Sequence, residues 1–119
     1  MASTKVVISG ITGKMGIEAV AAVCREDDLE LVGGTCAKNR GATMETPAGE
    51  IALSTDLEAL LEQTHPQVML DLTNAAVAMD AAAKAAARKI NIVMGASGFS
   101  DVQLQQLEVL ANDNGIGVI

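Results

Sequence analysis

Aromatic side chains are almost missing from this sequence, which contains one Phe, no Tyr and no Trp in 119 residues. Half of the residues are nevertheless hydrophobic, so a core can form from Val, Ile, Leu, Met and many Ala residues. This composition is typical of a globular chain and excludes a disordered or collagen-like one. The length suits a single domain that spans residues 1–119.

Basic residues are also few, because 8 Lys and Arg stand against 15 Asp and Glu and give a net charge of −7. A surface of this sign repels polyanions, so we expect neither nucleic acid nor an anionic membrane as a partner. No apolar run reaches the roughly 18 residues of a membrane span, and none has the form of a signal peptide. A phosphate-bearing ligand would therefore have to be held by local groups.

Residues that bind metals or act as nucleophiles are scarce. Cys24 and Cys36 do not form a CxxC pair and are too few for a disulfide framework or a zinc cage. We therefore expect reduced thiols, no metal site and a cytoplasmic location. His65 is the single histidine, and the sequence has no GxSxG motif. No catalytic residue is assigned to this chain.

Short apolar segments alternate with segments of helical periodicity. Strands are predicted at 5–9, 29–34, 67–72, 91–94 and 116–119, and helices from about 14 to 23, 55 to 63, 75 to 89 and 100 to 114. Capping boxes are expected at Thr55 with Glu58 and at Ser100 with Gln103, and Asn74 is expected to cap the alanine-rich helix. Residues 36–50 show no clear period. The alternation predicts an α/β fold, a Rossmann-like doubly wound parallel sheet in three layers.

A glycine-rich turn follows the first predicted strand and precedes the first helix. Gly10 would let the chain reverse, Gly13 would let the backbone approach a pyrophosphate, and Gly16 would let the helix pack closely on the strand. The helix N-terminus would offer unpaired N–H groups to the phosphates. The candidate cofactor-binding residues of this segment are Gly10, Thr12, Gly13, Lys14, Met15 and Gly16. The alternative is a glycine turn that only packs.

A second candidate region follows the second strand, where Rossmann domains usually carry an acidic residue for the adenosine ribose. This sequence has Cys36 there, followed by Lys38 and Arg40. Without a carboxylate to repel a 2′-phosphate, and with two cations nearby, NADP is favoured over NAD. The alternative is that both cations belong to an ordinary solvated loop. A P-loop is excluded because Met15 stands where Ser or Thr would hold Mg²⁺.

Two further candidate segments lie where later strands end. Asp71 and Thr73 belong to the segment DLTN, and Gly95, Ala96 and Ser97 to the segment GASGF. Ligands bind at the carboxyl ends of strands in open α/β sheets, so both segments are candidates for cofactor contacts. Taken alone, each is equally explained as a helix cap or a turn.

Three motifs in this order resemble those of the dihydrodipicolinate reductase family. VVISGITGKMG at 6–16 is similar to the family's V-x-G-x-x-G-[RK]-M-G, DLTN at 71–74 to its D-F-T-x-P, and GASGF at 95–99 to its G-T-T-G-F. The sequence departs from the family at Ala75 in place of proline, at Ala96 and Ser97 in place of two threonines, and at Cys36 in place of an acid.

This resemblance covers the whole chain but only the N-terminal part of the family. It implies an NAD(P)H-binding domain whose glycine turn holds the pyrophosphate and whose GASG loop lies beside the nicotinamide. The family belongs to diaminopimelate and lysine biosynthesis and reduces a cyclic imine-type substrate. Its C-terminal domain, with the substrate-binding histidines and the catalytic lysine, has no counterpart among these residues. We therefore expect binding of NADPH, and less tightly NADH, without catalysis by this chain alone.

Two alternatives stay open at this point. One is a stand-alone or engineered Rossmann scaffold or interaction module with weak or lost nucleotide binding. The other is a domain for CoA or another nucleotide, since the glycine turn is shared. Homo-oligomer formation is also expected to be possible, because absence of the C-terminal domain would expose apolar surface.

Overall fold

Residues 3–119, which the computed structural model describes, form six strands and four helices. In chain order these are β1 (Thr4–Ser9), α1 (Lys14–Cys24), β2 (Leu29–Thr35), β3 (Thr43–Thr46), β4 (Gly49–Ser54), α2 (Leu57–Thr64), β5 (Val68–Asp71), α3 (Ala75–Ala87), β6 (Asn91–Met94) and α4 (Asp101–Asn114). All six strands belong to one sheet, in the spatial order β3-β4-β2-β1-β5-β6.

The first strand lies in the middle of this sheet, between β2 and β5, and pairs with both in parallel. Its residues Val6, Val7 and Ile8 are buried, which explains the nearly continuous apolar run, since a central parallel strand is covered on both faces. On one face α1 packs with Val20 and Val23 against the sheet. On the other face lie α2, α3 and α4. The predicted three-layer Rossmann-like α/β fold is confirmed.

Small side chains explain how α3 reaches the sheet. Ala78, Ala82 and Ala85 are completely buried, and residues spaced by three or four positions share one helix face. The helix is capped as predicted, because the Asn74 side chain accepts a hydrogen bond from the Val77 N–H at 3.0 Å. The predicted capping box of Ser100 with Gln103 is likewise present at the start of α4.

The segment between β2 and α2 differs from the sequence prediction. The sequence predicts no element between residues 35 and 54, but β3 and β4 form an antiparallel hairpin there, and β4 pairs in parallel with β2. The sheet is thus mostly parallel with one antiparallel edge strand. The prediction of Thr55 as helix cap is also wrong, because Asp56 is the N-cap and its carboxylate accepts from the Ala59 N–H.

The last residues of the chain continue the sheet beside β6. The Ile92 N–H donates to the Gly117 carbonyl at 2.9 Å, and the Met94 N–H donates to that of Ile119 at 2.8 Å. A single parallel bridge joins Ile92 and Val118, so the predicted strand at 116–119 is present only as a short paired segment. Within residues 3–119, no helix combines the length and the apolar character needed to cross a membrane.

Candidate functional site

A cleft of about 530 Å³ opens at the carboxyl ends of β1, β2 and β5. We call it the main cleft. Its walls come from the glycine turn, the end of β2, the start of α2, the loop between β5 and α3, and one side of α3. After β1 the chain continues through α1 to β2 on one side of β1, whereas β5 lies on its other side. Open α/β sheets bind ligands at the carboxyl ends of their strands, at the point where the strand order reverses in this way.

The glycine turn is anchored to the end of β2. The Gly10 N–H donates to Thr35 Oγ1 at 3.2 Å, and the Ile11 N–H donates to the Thr35 carbonyl at 2.9 Å. Gly10 has a φ of +84°, and a Cβ there would lie 3.0 Å from Thr73 Cγ2. Gly10 therefore makes both the reversal of the chain and the close approach of Thr73 possible.

Gly13 and Gly16 serve different purposes. A Cβ on Gly16 would overlap the Gly10 carbonyl oxygen and the Ile11 backbone, so Gly16 is required by packing. A Cβ on Gly13 would meet only the Gly10 oxygen at 3.4 Å, and the Gly13 φ of −73° suits any residue. The fold itself does not require a glycine at position 13. Its missing side chain leaves backbone open to the main cleft, which Gly13 and Thr12 both line.

The N-terminus of α1 has unpaired donors beside this turn. No side chain caps it, whereas Asp56, Asn74 and Ser100 cap the other three helices of the described residues. The first N–H groups of a helix have no partner within the helix. The amides of Lys14 and Met15 are therefore open to an acceptor, and the helix dipole favours a negative one. The side chains of both residues are exposed and do not line the main cleft.

The end of β2 brings one of its three candidate residues into the main cleft. Cys36 lines the cleft but is buried, and its Sγ–H donates to the Lys38 carbonyl at 3.0 Å. Lys38 and Arg40 lie exposed on the following loop and do not line it. Across residues 3–119, no group of three His, Cys, Asp or Glu side chains is placed to hold a metal ion.

Asp71 is buried beside the cleft and holds one of its loops. The side chain is completely buried, and Oδ1 accepts from the Thr73 N–H at 2.9 Å and from the Thr73 hydroxyl at 2.6 Å. Oδ2 is buried with no hydrogen-bond partner among residues 3–119. Thr73 lines the main cleft and Asp71 does not. The carboxylate thus holds the loop that forms one wall.

The segment GASGF lies at the same edge but faces elsewhere. The Gly95 N–H donates to the Asp71 carbonyl at 2.8 Å, and a Cβ on Gly95 would overlap the Leu72 side chain. Ala96 lines a separate hollow of about 430 Å³ together with Phe99 and α4. Ser97 is exposed. None of these residues lines the main cleft, although Gly95 abuts the loop that does.

One side of α3 is the wall that sequence reasoning missed. Val77, Asp80, Ala81 and Lys84 line the main cleft. Lys84 Nζ lies 2.9 Å from Asp80 Oδ2, and this hydrogen bond is the main reason why the pKa of Lys84 is raised above its usual value. A spacing of four residues in a helical sequence predicts only an ion pair that stabilises the helix, and no ligand site.

The chain matches a known family over almost its whole length. The family model described as "Dihydrodipicolinate reductase, N-terminus" matches residues 4–119. The chain belongs to this family. It is 41% identical to the 4-hydroxy-tetrahydrodipicolinate reductase of Dehalococcoides mccartyi, over 100% of this chain and 46% of that enzyme. The enzyme of Lysinibacillus sphaericus is 35% identical, over 98% of this chain and 46% of its own length.

Solved structures agree with the family and with the fold. Dipicolinate-bound dihydrodipicolinate reductase from Paenisporosarcina sp. TG-14 superposes with a TM-score of 0.82 at 32% identity, over 98% of this chain and 46% of that one. GenD2 from gentamicin A biosynthesis, solved in complex with NAD, gives 0.80 at 17% identity, over 99% and 34%. At that identity the likeness shows the fold alone. The resemblance drawn from the three motifs is confirmed, and the chain spans about half the length of its relatives.

Proposed function

We propose that this chain is a nucleotide-binding domain that holds NADPH, and less tightly NADH, in the main cleft. The observation that carries the proposal is the backbone left bare at Gly13 where no packing contact requires a glycine. The uncapped N-terminus of α1 lies beside it and supplies donors for a pyrophosphate. A domain with a net charge of −7 would thereby bind an anionic ligand through backbone amides.

The adenosine half of the dinucleotide would extend from this turn past the end of β2, along Cys36, Thr55 and Leu57. The nicotinamide half would extend toward the loops after β5 and β6, where Thr73 and Gly95 lie. These residues offer backbone, hydroxyl and apolar surface, which are the groups that usually line cofactor sites. No carboxylate follows β2, so a 2′-phosphate would meet the exposed cations Lys38 and Arg40 instead of an acid.

In the full-length enzymes of the family, this domain would present the cofactor to a substrate held by a C-terminal domain. The bound cofactor supplies the hydride, which we propose is delivered to a cyclic imine in lysine and diaminopimelate biosynthesis in the cytoplasm. The residues of this chain bind and orient the cofactor, and we assign none of them a proton-transfer role. We therefore expect residues 1–119 to bind the dinucleotide without catalysing hydride transfer.

Isothermal titration calorimetry with NADPH, NADH and ATP tests the proposal. We expect NADPH to bind more tightly than NADH and both to bind more tightly than ATP. Absence of dinucleotide binding at millimolar ligand would contradict it and would leave a scaffold that has lost its ligand. The family match over residues 4–119 makes that scaffold the less favoured alternative. CoA in the same titration separates a dinucleotide site from a general nucleotide site.

Self-association is part of the proposal. Val102, Leu104 and Val109 of α4 are more than half exposed, at 62%, 51% and 57%, and association of two copies would remove such apolar surface from water. Sedimentation velocity with and without NADPH separates constitutive assembly from ligand-driven assembly. A single monomeric species at all concentrations in both conditions would contradict association.

A further inference from the structure

The main cleft continues beyond the glycine turn into a slot between the start of α2 and the side of α3. Leu57 and Ala81 line this slot and are 8% and 3% exposed. Val77 lines it as well and is 47% exposed, so a ligand could cover its side chain. A slot with apolar walls suits a flat ring, since cofactor pockets combine apolar surface with a few polar groups.

The polar group of the slot is the carboxylate of Asp80. Residues 77, 80, 81 and 84 are spaced by three and four positions, so they form one continuous face of α3 along the cleft. Asp80 therefore lies on the same face as the apolar side chains. It is six residues beyond the helix cap Asn74, which corresponds to about 9 Å along the helix axis. This distance separates Asp80 from the glycine turn, which lies against Thr73, the residue before the helix cap.

Lys84 holds this carboxylate in place and leaves it able to accept further hydrogen bonds. Their ion pair joins Lys84 Nζ to Asp80 Oδ2 at 2.9 Å. A carboxylate has about four acceptor positions, of which the ion pair uses one. Asp56 and Glu58 also lie close enough to raise the pKa of Lys84. Neither Asp56 nor Glu58 lines the cleft, and Glu58 also pairs with Arg88 at 3.7 Å. The Asp80 carboxylate is therefore the acceptor on this wall of the cleft, and it favours a ligand group that donates hydrogen bonds.

We propose that Asp80 recognises the adenine base of the dinucleotide by accepting a hydrogen bond from its exocyclic amino group. The inference rests on the proposed function and adds the side chain that contacts the adenine base. The amino group is the donor that a flat base carries at its edge, whereas the ribose hydroxyls belong to a polar ring that suits apolar walls poorly. Lys84 acts as a positioning residue for the carboxylate.

The test compares two dinucleotides that differ at this amino group. Reduced nicotinamide purine dinucleotide phosphate, in which unsubstituted purine replaces adenine, carries a hydrogen atom where NADPH carries the amino group and keeps N1 as an acceptor. Calorimetry on the wild-type chain should show about tenfold weaker binding of the purine form, since the Asp80 carboxylate then loses a charge-assisted hydrogen bond. ATP against purine riboside triphosphate provides the same comparison without the nicotinamide.

Two variants locate the discrimination. Asp80→Asn should reduce the difference between the two dinucleotides to about twofold, because an amide oxygen accepts only an uncharged, weaker hydrogen bond from the amino group. Asp113→Asn, on the exposed side of α4, removes the same charge far from the cleft and should keep the tenfold difference. Asp80 is 69% exposed, so we expect both variants to fold, with unfolding midpoints close to that of the wild type.

Each outcome separates the inference from the function on which it rests. Equal binding of both dinucleotides by the wild type overturns the role of Asp80 while dinucleotide binding stands. A tenfold difference that persists in Asp80→Asn overturns it as well. If the wild type binds neither dinucleotide, the proposed function fails and the inference fails with it. The wild-type comparison needs no variant and therefore decides even if Asp80→Asn does not fold.

Discussion

Asp71 accepts two hydrogen bonds from Thr73, one from the backbone N–H at 2.9 Å and one from the hydroxyl at 2.6 Å. Asp71 is completely buried, while Thr73 lines the main cleft and lies against Gly10. A buried carboxylate that does not line the cleft thus holds the loop that does.

Asp71→Ala should therefore destabilise the protein and weaken NADPH binding together. Loss of the acceptor leaves the Thr73 N–H and hydroxyl without their partner, and we expect the free energy of unfolding to fall by about 3 kcal/mol. Urea denaturation and calorimetry measure the two effects. Asp71→Asn keeps an oxygen at the position of Oδ1 and should lose less of both. If Asp71→Asn and Asp71→Ala lost equal stability and equal NADPH affinity, the hydrogen bonds to Thr73 would not be the cause of either loss.

Gly13→Val should remove dinucleotide binding and leave the fold intact. The backbone at position 13 has a φ of −73°, and a Cβ meets only the Gly10 oxygen at 3.4 Å, so the branched side chain would occupy the cleft rather than the core. We expect more than a tenfold loss of NADPH affinity with a cost in stability of about 1 kcal/mol, because Val is a poor N-cap residue. Unchanged NADPH affinity would contradict the site.

The matched control is Gly117→Val, at an exposed glycine near the end of the chain. A Cβ there meets only Asn91 Oδ1 at 3.7 Å, so the same side chain is added in open space away from the main cleft. This variant should bind NADPH like the wild type.

Gly16→Ala should show the opposite pattern, a loss of stability. Its Cβ would overlap the Gly10 carbonyl oxygen and the Ile11 backbone, so α1 would have to move away from the glycine turn. Overpacking of this kind costs about 1–3 kcal/mol, and urea denaturation measures it against Gly13→Ala, which adds the same atom without the overlap. A Gly16→Ala variant as stable as Gly13→Ala would show that α1 adjusts freely.

The double variant Lys38→Gln, Arg40→Gln should bind NADPH about tenfold more weakly and NADH as before. Both cations lie exposed on the loop beyond β2, where they would reach a 2′-phosphate but no group of NADH. Calorimetry with the two cofactors measures the ratio. Lys5→Gln combined with Lys89→Gln removes two positive charges elsewhere and controls for overall charge. A parallel loss for NADPH and NADH would assign the two cations no role in selecting the cofactor.

The sequence predicted best what is determined by neighbours in the chain. The apolar run of β1, the glycine turn after it and the cap at Asn74 each depend on a few adjacent residues, and all three are present. Strand β3 was not predicted because it lies at the sheet edge with no buried residue, so it carries no apolar pattern. Thr55 and Asp56 are both good capping residues, and the path of the chain out of β4 decides between them.

The part of the candidate site that depends on residues directly after the strands was also predictable from the sequence. Gly10, Gly13, Cys36 and Thr73 line one cleft because each follows a parallel strand, and such strand ends meet at one edge of the sheet. Asp80 could not be predicted as a cleft residue, since its position depends on how α3 is rotated and on where α2 begins beside it. Those relations belong to packing between distant segments, which periodicity within one helix cannot supply.

Thr35 accepts hydrogen bonds from the Gly10 N–H through its hydroxyl and from the Ile11 N–H through its carbonyl, so the glycine turn cannot open without releasing the end of β2. A dinucleotide held by that turn would therefore slow hydrogen exchange at amides it never touches, deep in the centre of the sheet. The binding site and the centre of the sheet would then unfold as one cooperative unit. The free energy of unfolding would rise with the logarithm of the cofactor concentration.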